Sequence, residues 1–275
     1  MSSATDYLEP DVTAGAPAGG RRLRVAHLSA ATLLVLLAIW WAVTASGMIA
    51  PLFLPPPAAV FERFIAVLTE GYVDSTLLEH LGASLARVFA ALFFSAAIAI
   101  PVGFAIALSP VGRGILDPLL ELLRPIPPLA YLPLVIIWFG IGEVSKVLVI
   151  GVAMLAPIAL STAAGVRSVA PDRLDAARSL GATRAQLLRY VIFPSALPEI
   201  VTGIRIALGA GWTTLVAAEL VAATRGLGFM IQSAAQFLVT DVVIMGILVI
   251  AAVAFLLEAV VRVLEKIFVP WRGRL

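Results

Sequence analysis

Hydrophobic residues in this chain gather into long runs, and the runs predict an architecture before any motif does. A helix needs about 20 mostly apolar residues to cross a hydrocarbon core of about 30 Å. Five stretches meet that length, at residues 25–47, 84–108, 129–164, 200–221 and 242–264. The third is too long for one crossing, and WFGIGEVSK places glycines with Glu143 and Lys146 in its middle. It predicts two helices joined by a tight turn. The first of the pair is short and rich in proline (RPIPPLAYLP), hence irregular or covered by neighbours, because backbone groups freed by proline cannot face lipid. The pattern predicts an all-α polytopic membrane protein with six transmembrane helices. Its parts are a disordered tail over 1–24, a first transmembrane helix over 25–47, an external segment over 48–83, a core over 84–264 interrupted by a polar loop at 166–197, and a second tail over 265–275.

Composition agrees: 61% of the 275 residues are hydrophobic, 13% are charged, and mean hydropathy is +1.04, more apolar surface than one soluble core needs. Six crossings put both termini on one side, and the 19 Lys and Arg residues choose it. With the termini cytoplasmic, only Arg63, Lys146 and Arg225 fall in external segments, with Arg87 near the outer end of the second crossing. Residues 1–20, rich in Ala, Gly, Ser and acidic residues, read as disordered. RRLR before an apolar run also resembles a cleaved leader, but the run exceeds the about 7 to 15 residues of such a segment. With no cysteine, the chain has no disulfide, thiolate metal site or cysteine nucleophile.

On the cytoplasmic side of this layout, DAARSLGATRAQLLRYVIFP (175–194) separates the fourth crossing from the fifth. Pro171 suits a first helical position and Asp172 the positive end of the helix dipole, so a helix runs to Leu180 and stops at Gly181. Thr183 and Gln186 form a capping box for a second helix, which carries Leu187, Leu188, Val191 and Ile192 and ends before Pro194; Pro198 and Glu199 then open the fifth crossing. The projecting helix presents Ala176 and Ala177 between Arg173, Arg178, Arg184 and Arg189. Small side chains admit close backbone approach, and arginines fix register through a partner's carboxylates. A basic loop that only touches anionic lipid fits the same periodicity.

The stretch resembles the EAA signature of the inner-membrane subunits of bacterial ABC importers, carried here by Asp175, Ala176, Ala177, Gly181, Val191, Phe193 and Pro194. Asp175 stands where the family has Glu, Val191 where it has Ile and Phe193 where it has Leu; the Asp175 carboxylate reaches one methylene less. The resemblance covers about residues 36–264, through LPPPAAVFERF, HLGASLARV, RPIPPLAYLPLVIIWFGIG and PEIVTGIRIALGAGWTTLVAAEL, and is most similar to the nitrate, sulfonate and taurine branch. It implies a type I importer permease in the bacterial inner membrane, present as two copies around a central path. Each copy meets a cytoplasmic ATP-binding cassette subunit, which holds the ATP and Mg, and an external solute-binding protein delivers a small organic or inorganic anion such as a sulfonate, taurine or nitrate. It makes 166–197 the coupling loop, with Arg173, Asp175, Ala176, Ala177, Arg178, Gly181 and Pro194 facing the ATPase.

The remaining residues bear on rival functions. The only lysines, Lys146 and Lys266, follow Ser145 and Glu265, so no Gly-Lys pair of a P-loop exists, and nucleotide energy must come from another subunit. An ion-coupled transporter is the first alternative. Such proteins place ionisable residues deep in the bilayer, and here the acids lie in loops or near helix ends, with Glu219 and Glu258 as partial exceptions. A sodium site built from backbone carbonyls remains open on these grounds. A membrane-embedded enzyme is the second alternative, but His27 and His80 are far apart without an HExxH arrangement, and no GxSxG elbow appears. No catalytic, metal or cofactor site is expected in this chain, nor a nucleic-acid partner; His80 reads as an interfacial hydrogen-bonding residue. For the path, Arg205, Trp212, Val216 and Glu219 fall near one face of the fifth crossing. The alternative has Arg205 snorkelling to the interface, Trp212 packing and Glu219 capping the outer end. Gly203, Gly209 and Gly211 predict close helix packing, and GLGFMIQSAAQF an external helix or re-entrant turn.

Overall fold

The computed structural model describes residues 18–271 and divides into two compact units between Ala58 and Ala59. The first unit holds helix α1 (Ala18–Ala45), followed by turns in which Trp40 Nε1 donates to the Pro55 carbonyl at 3.1 Å. The second unit begins within α2 (Pro57–Thr69) and holds the remaining elements. Among the described residues there is no strand, only an isolated bridge between Tyr72 and Ser75.

Helix α3 (Leu77–Leu108) starts one to two turns before the apolar run does. Thr76 and Glu79 form a capping box, the Thr76 N–H donating to the Glu79 carboxylate at 2.7 Å and the Glu79 N–H to Thr76 Oγ1 at 3.3 Å, which lets polar residues occupy the first turn. Ser109 ends α3 and caps the next helix, accepting from the Gly112 N–H at 3.2 Å, and Pro110 fills the first position of α4 (Pro110–Leu123). The apolar runs predict no element where α4 lies. Its local signals, a Ser cap followed by Pro, are those of a helix start. A 3₁₀ turn (Pro128–Tyr131) and α5 (Leu132–Phe139) follow at 92° to α4, so the proline-rich piece is a broken element.

Gly140, with φ +80°, and Gly142 make the tight turn into α6 (Glu143–Arg167). Beyond α7 (Pro171–Ser179), one turn of α-helix, α8 (Arg184–Gln186), passes through a π-helical stretch (Leu187–Ile192) straight into α9 (Phe193–Ala222). The expected stop before Pro194 does not occur, and Pro198 lies inside the helix instead of opening it. A proline leaves the carbonyl four residues back without its donor, and a π turn is one of the local adjustments by which a helix carries that defect without ending. Two further helices complete the fold, α10 (Leu227–Gln236) and α11 (Thr240–Phe268).

Among the described residues four helices are long and apolar enough to cross a membrane: α3, α6, the continuous Arg184–Val221 helix and α11. The bent α4/α5 pair makes up to five, and Ala30–Ala45 is a shorter apolar helix. Half of the apolar stretch of α6 is buried within the chain, against 17% for α11. α6 therefore sits between α3 and α9, and most of α11 is left for lipid or another chain. Close approach follows the expected glycines in part. A Cβ on Gly203 would lie 2.6 Å from Ser161 Cβ, and one on Gly211 would collide with Met154, whereas Gly209 faces open space.

Candidate functional site

The stretch around Asp175 folds as a bare hairpin. No residue of α7 is buried, and Leu180 at its tip is 90% exposed. Gly181 closes α7 with φ +82°, a conformation that costs an L-residue about 1–2 kcal/mol, and nothing lies within 4 Å of where its side chain would begin. The Gly181 N–H donates to Arg178 O at 2.9 Å and the Ala182 N–H to Ala177 O at 3.1 Å, which satisfies the last carbonyls of the helix. Asp175 pairs with Arg178 on its own helix at 2.8 Å. The second arm starts on the Thr183–Gln186 capping box, with the Thr183 N–H donating to Gln186 Oε1 at 2.8 Å. Pro194 belongs to the first turn of α9. The surface that results is small-residued, rimmed by arginine and left exposed by the described residues.

Midway along α9, between it and the C-terminal half of α11, lies a groove of about 490 Å³. Arg205, Gly209 and Trp212 line it from α9, and Ala254, Glu258 and Val261 from α11. Arg205 reaches across to Glu265 at 3.4 Å, a long ion pair. Trp212 is 6% exposed and its Nε1–H has no acceptor among the described residues. Glu258 pairs with Arg262 at 2.7 Å along its own helix.

The opposite end, marked by Leu77, Glu143 and Ala222, is tied together by charge. Arg87 on α3 donates from Nη1 to Glu219 on α9 at 2.6 Å and to the Arg225 carbonyl at 2.7 Å. It donates from Nε and Nη2 to both oxygens of Glu143 on α6, at 2.5 and 2.8 Å. Lys146 adds 2.7 Å to Glu143. Glu219 also accepts from Ser84 Oγ at 2.8 Å and from the Gly228 N–H at 2.8 Å. Burial is nearly complete for Arg87 (5% exposed), Lys146 (2%) and Glu219 (1%). Such charges are tolerated because each has an opposite partner within hydrogen-bond distance. His80 belongs to the same set, its Nε2 within 3.0 Å of the Tyr72 carbonyl and its Nδ1 accepting from the Gly226 N–H at 3.1 Å. With Nδ1 the acceptor, Nε2 carries the proton, so the ring is neutral and hydrogen-bonding on both sides.

The four path residues therefore part company. Arg205 and Trp212 line one groove, Val216 is half-buried away from it, and Glu219 turns inward to Arg87. Glu219 is placed in the far-end cluster, where Arg87, Ser84 and the Gly228 N–H surround its carboxylate. The segment 226–237 forms α10, docked beside Glu219. Sequence reasoning missed the Arg87–Glu143–Glu219 triad. The signal it offered was two acids and two bases placed at the same end of three helices. No group of three or more His, Cys, Asp or Glu side chains that could hold a metal is found among the described residues.

Comparison with known proteins gives the family. Residues 99–269 match the family model "Binding-protein-dependent transport system inner membrane component". The chain is 59% identical over 251 residues, 91% of each chain, to the taurine transport system permease protein TauC of Escherichia coli strain K12. It is 36% identical over 239 residues, 87% of this chain and 85% of the other, to the putative aliphatic sulfonates transport permease protein SsuC of Bacillus subtilis strain 168. It is 35% identical over 247 residues, 87% and 88%, to the bicarbonate transport system permease protein CmpB of Synechococcus elongatus. Among solved structures, inward-facing MetNI methionine ABC transporter matches with a TM-score of 0.62 at 22% identity, over 70% of this chain and 95% of that one. An amino acid ABC transporter crystallised with histidines matches at 0.59 and 20%, over 76% and 96%. The chain belongs to the binding-protein-dependent transport system inner membrane components: it is the permease subunit of an ABC importer, a multi-pass inner membrane protein whose ATPase is a separate subunit.

Proposed function

We propose that this permease imports small aliphatic sulfonates, taurine first among them. The observation that carries this reading is the 59% identity to the E. coli taurine permease across 91% of both chains, against 35% to the bicarbonate permease. The permease works as two copies of this chain with two ATP-binding cassette subunits, which hold the ATP and Mg, and an external binding protein that selects the solute. The chain crosses the membrane six times, α1 and the broken α4/α5 element completing the count, with both termini and the hairpin cytoplasmic. The excess of Arg on the hairpin side supports that orientation. The division into a 1–24 tail, a 25–47 first helix, a 48–83 external segment, an 84–264 core and a 265–275 tail belongs to the same reading.

In it, Arg173, Asp175, Ala176, Ala177, Arg178, Gly181 and Pro194 form the ATPase contact, supported by the uncovered surface of α7 and the exposed Leu180. Arg205 and Trp212, with Val216 beyond them, border the solute's route, and Arg205 supplies the positive charge an anion needs. The test is reconstitution with the cognate ATPase and binding protein in proteoliposomes. ATP-driven taurine uptake is expected, competed by other sulfonates and not by bicarbonate or nitrate; uptake of bicarbonate in preference to taurine would overturn the assignment. For the hairpin, Gly181→Val is expected to abolish co-purification of the ATPase while lowering the melting temperature of the permease alone by only a few degrees, because the new side chain meets no neighbour among the described residues and the cost is the backbone strain of about 1–2 kcal/mol at φ +82°.

A further inference from the structure

The charged cluster at the far end has no part in coupling or in the solute's route as described, yet it joins three helices through buried, hydrogen-bonded charges. Its grip on the turn before α10 stands out. Three consecutive backbone amides of that turn each donate to a side chain of the helices beneath. Gly226 donates to His80 Nδ1 at 3.1 Å, Leu227 to Ser84 Oγ at 3.0 Å and Gly228 to Glu219 at 2.8 Å. The preceding carbonyl, of Arg225, accepts from Arg87. Gly226 adopts φ +136°, and a Cβ there would enter the Glu219 carboxylate, so the turn lies directly on the buried charge.

We propose that Arg87, Glu143, Lys146 and Glu219 are positioning residues that make α3, α6, α9 and the Arg225–Gly228 turn one rigid body. A binding protein docking on that turn is then registered at the Asp175 hairpin. This rests on the reading above, in which the turn is external and the hairpin meets the ATPase. The chain of contacts is continuous. α6 and α9 hold two of the cluster's acids at one end and are joined by the hairpin at the other. Between the ends they pack backbone to backbone, where a Cβ on Gly165 would lie 2.9 Å from the Ala196 carbonyl and one on Gly203 3.1 Å from the Pro157 carbonyl. Arg87, Lys146 and Glu219 are buried, and separating the Arg87–Glu219 pair in that interior is far costlier than moving the block whole, while the more exposed Glu143 ties Arg87 to α6. A displacement at the turn therefore travels the length of α6 and α9 as a rigid-body shift.

The test uses the full complex in nanodiscs and compares ATP hydrolysis with and without taurine-loaded binding protein. Glu219→Gln keeps the shape and removes the charge. It is expected to lower the stimulated-to-basal ratio by about tenfold, within the usual range of allosteric coupling, with basal hydrolysis and ATPase association within twofold of wild type. Arg262→Gln, at the other end of the molecule, is expected to leave the ratio unchanged. Should Glu219→Gln fail to assemble, Ser84→Ala is read by the same ratio. It removes one donor to Glu219 and the acceptor of Leu227 without touching a charge, and a fall of about two- to fivefold is expected. A folded variant stimulated as fully as wild type overturns the proposal. The wild-type arm reports separately on the parent reading: a complex that no sulfonate-loaded binding protein stimulates sinks that function and this inference with it, whereas a stimulated wild type with an equally stimulated variant sinks only the inference.

Discussion

Two positions on α9, one near its C-terminal end and one midway along it, treat a charge in opposite ways. At the first, Glu219 is 1% exposed and held by Arg87, Ser84 and Gly228 through bonds of 2.6–2.8 Å. At the second, Arg205 crosses a groove of about 490 Å³ to meet Glu265 at 3.4 Å, with a third of its side chain in the open. The first arrangement has one geometry. The second tolerates several, because a long, partly hydrated pair loses little when it lengthens. The same helix is therefore anchored where it meets α3 and α6 and loosely moored where it meets α11.

The largest effect should come from breaking the anchored end. Arg87→Ala leaves Glu219 buried without its cation and is expected to cost about 3–5 kcal/mol, seen as a large fall in melting temperature or loss of monodisperse protein in detergent. Gly226→Ala comes next, at about 1–3 kcal/mol, because the added methyl meets the Glu219 carboxylate and φ +136° suits only glycine. Arg205→Gln, at the partly exposed member of the long pair, should change stability by about 1 kcal/mol or less and should act instead on the apparent affinity for solute in uptake assays. If Arg87→Ala proves as mild as Arg205→Gln, the contrast between the two positions is lost.

What the sequence made legible followed from local rules. The apolar runs located α3, α6, α9 and α11, because a bilayer imposes a length on any helix that crosses it. The Thr183–Gln186 cap and the glycine stop at 181 were readable because their partners lie three or four residues away. Pro194 and Pro198 misled, since tertiary packing carried the helix through a π turn that propensity alone would not favour. α4 was overlooked although Ser109–Pro110 is an ordinary start signal. The charged cluster was out of reach for a different reason. Arg87 lies 56 positions from Glu143 and 132 from Glu219, and nothing local to any of the three announces the others. Family resemblance supplied the importer and the ATPase contact, and it carried no information about which intramembrane charges pair.

One property of that cluster bears on energetics of another kind. Every group contacting the Glu219 oxygens is a donor, and in its carboxylate form Glu219 together with Glu143 balances Arg87 and Lys146, two against two. A single charge moved across the full membrane potential exchanges about 2.3 kcal/mol for every 100 mV. A neutral quartet displaced along the same axis exchanges none, so the membrane potential would do no work on these four charges however far they move.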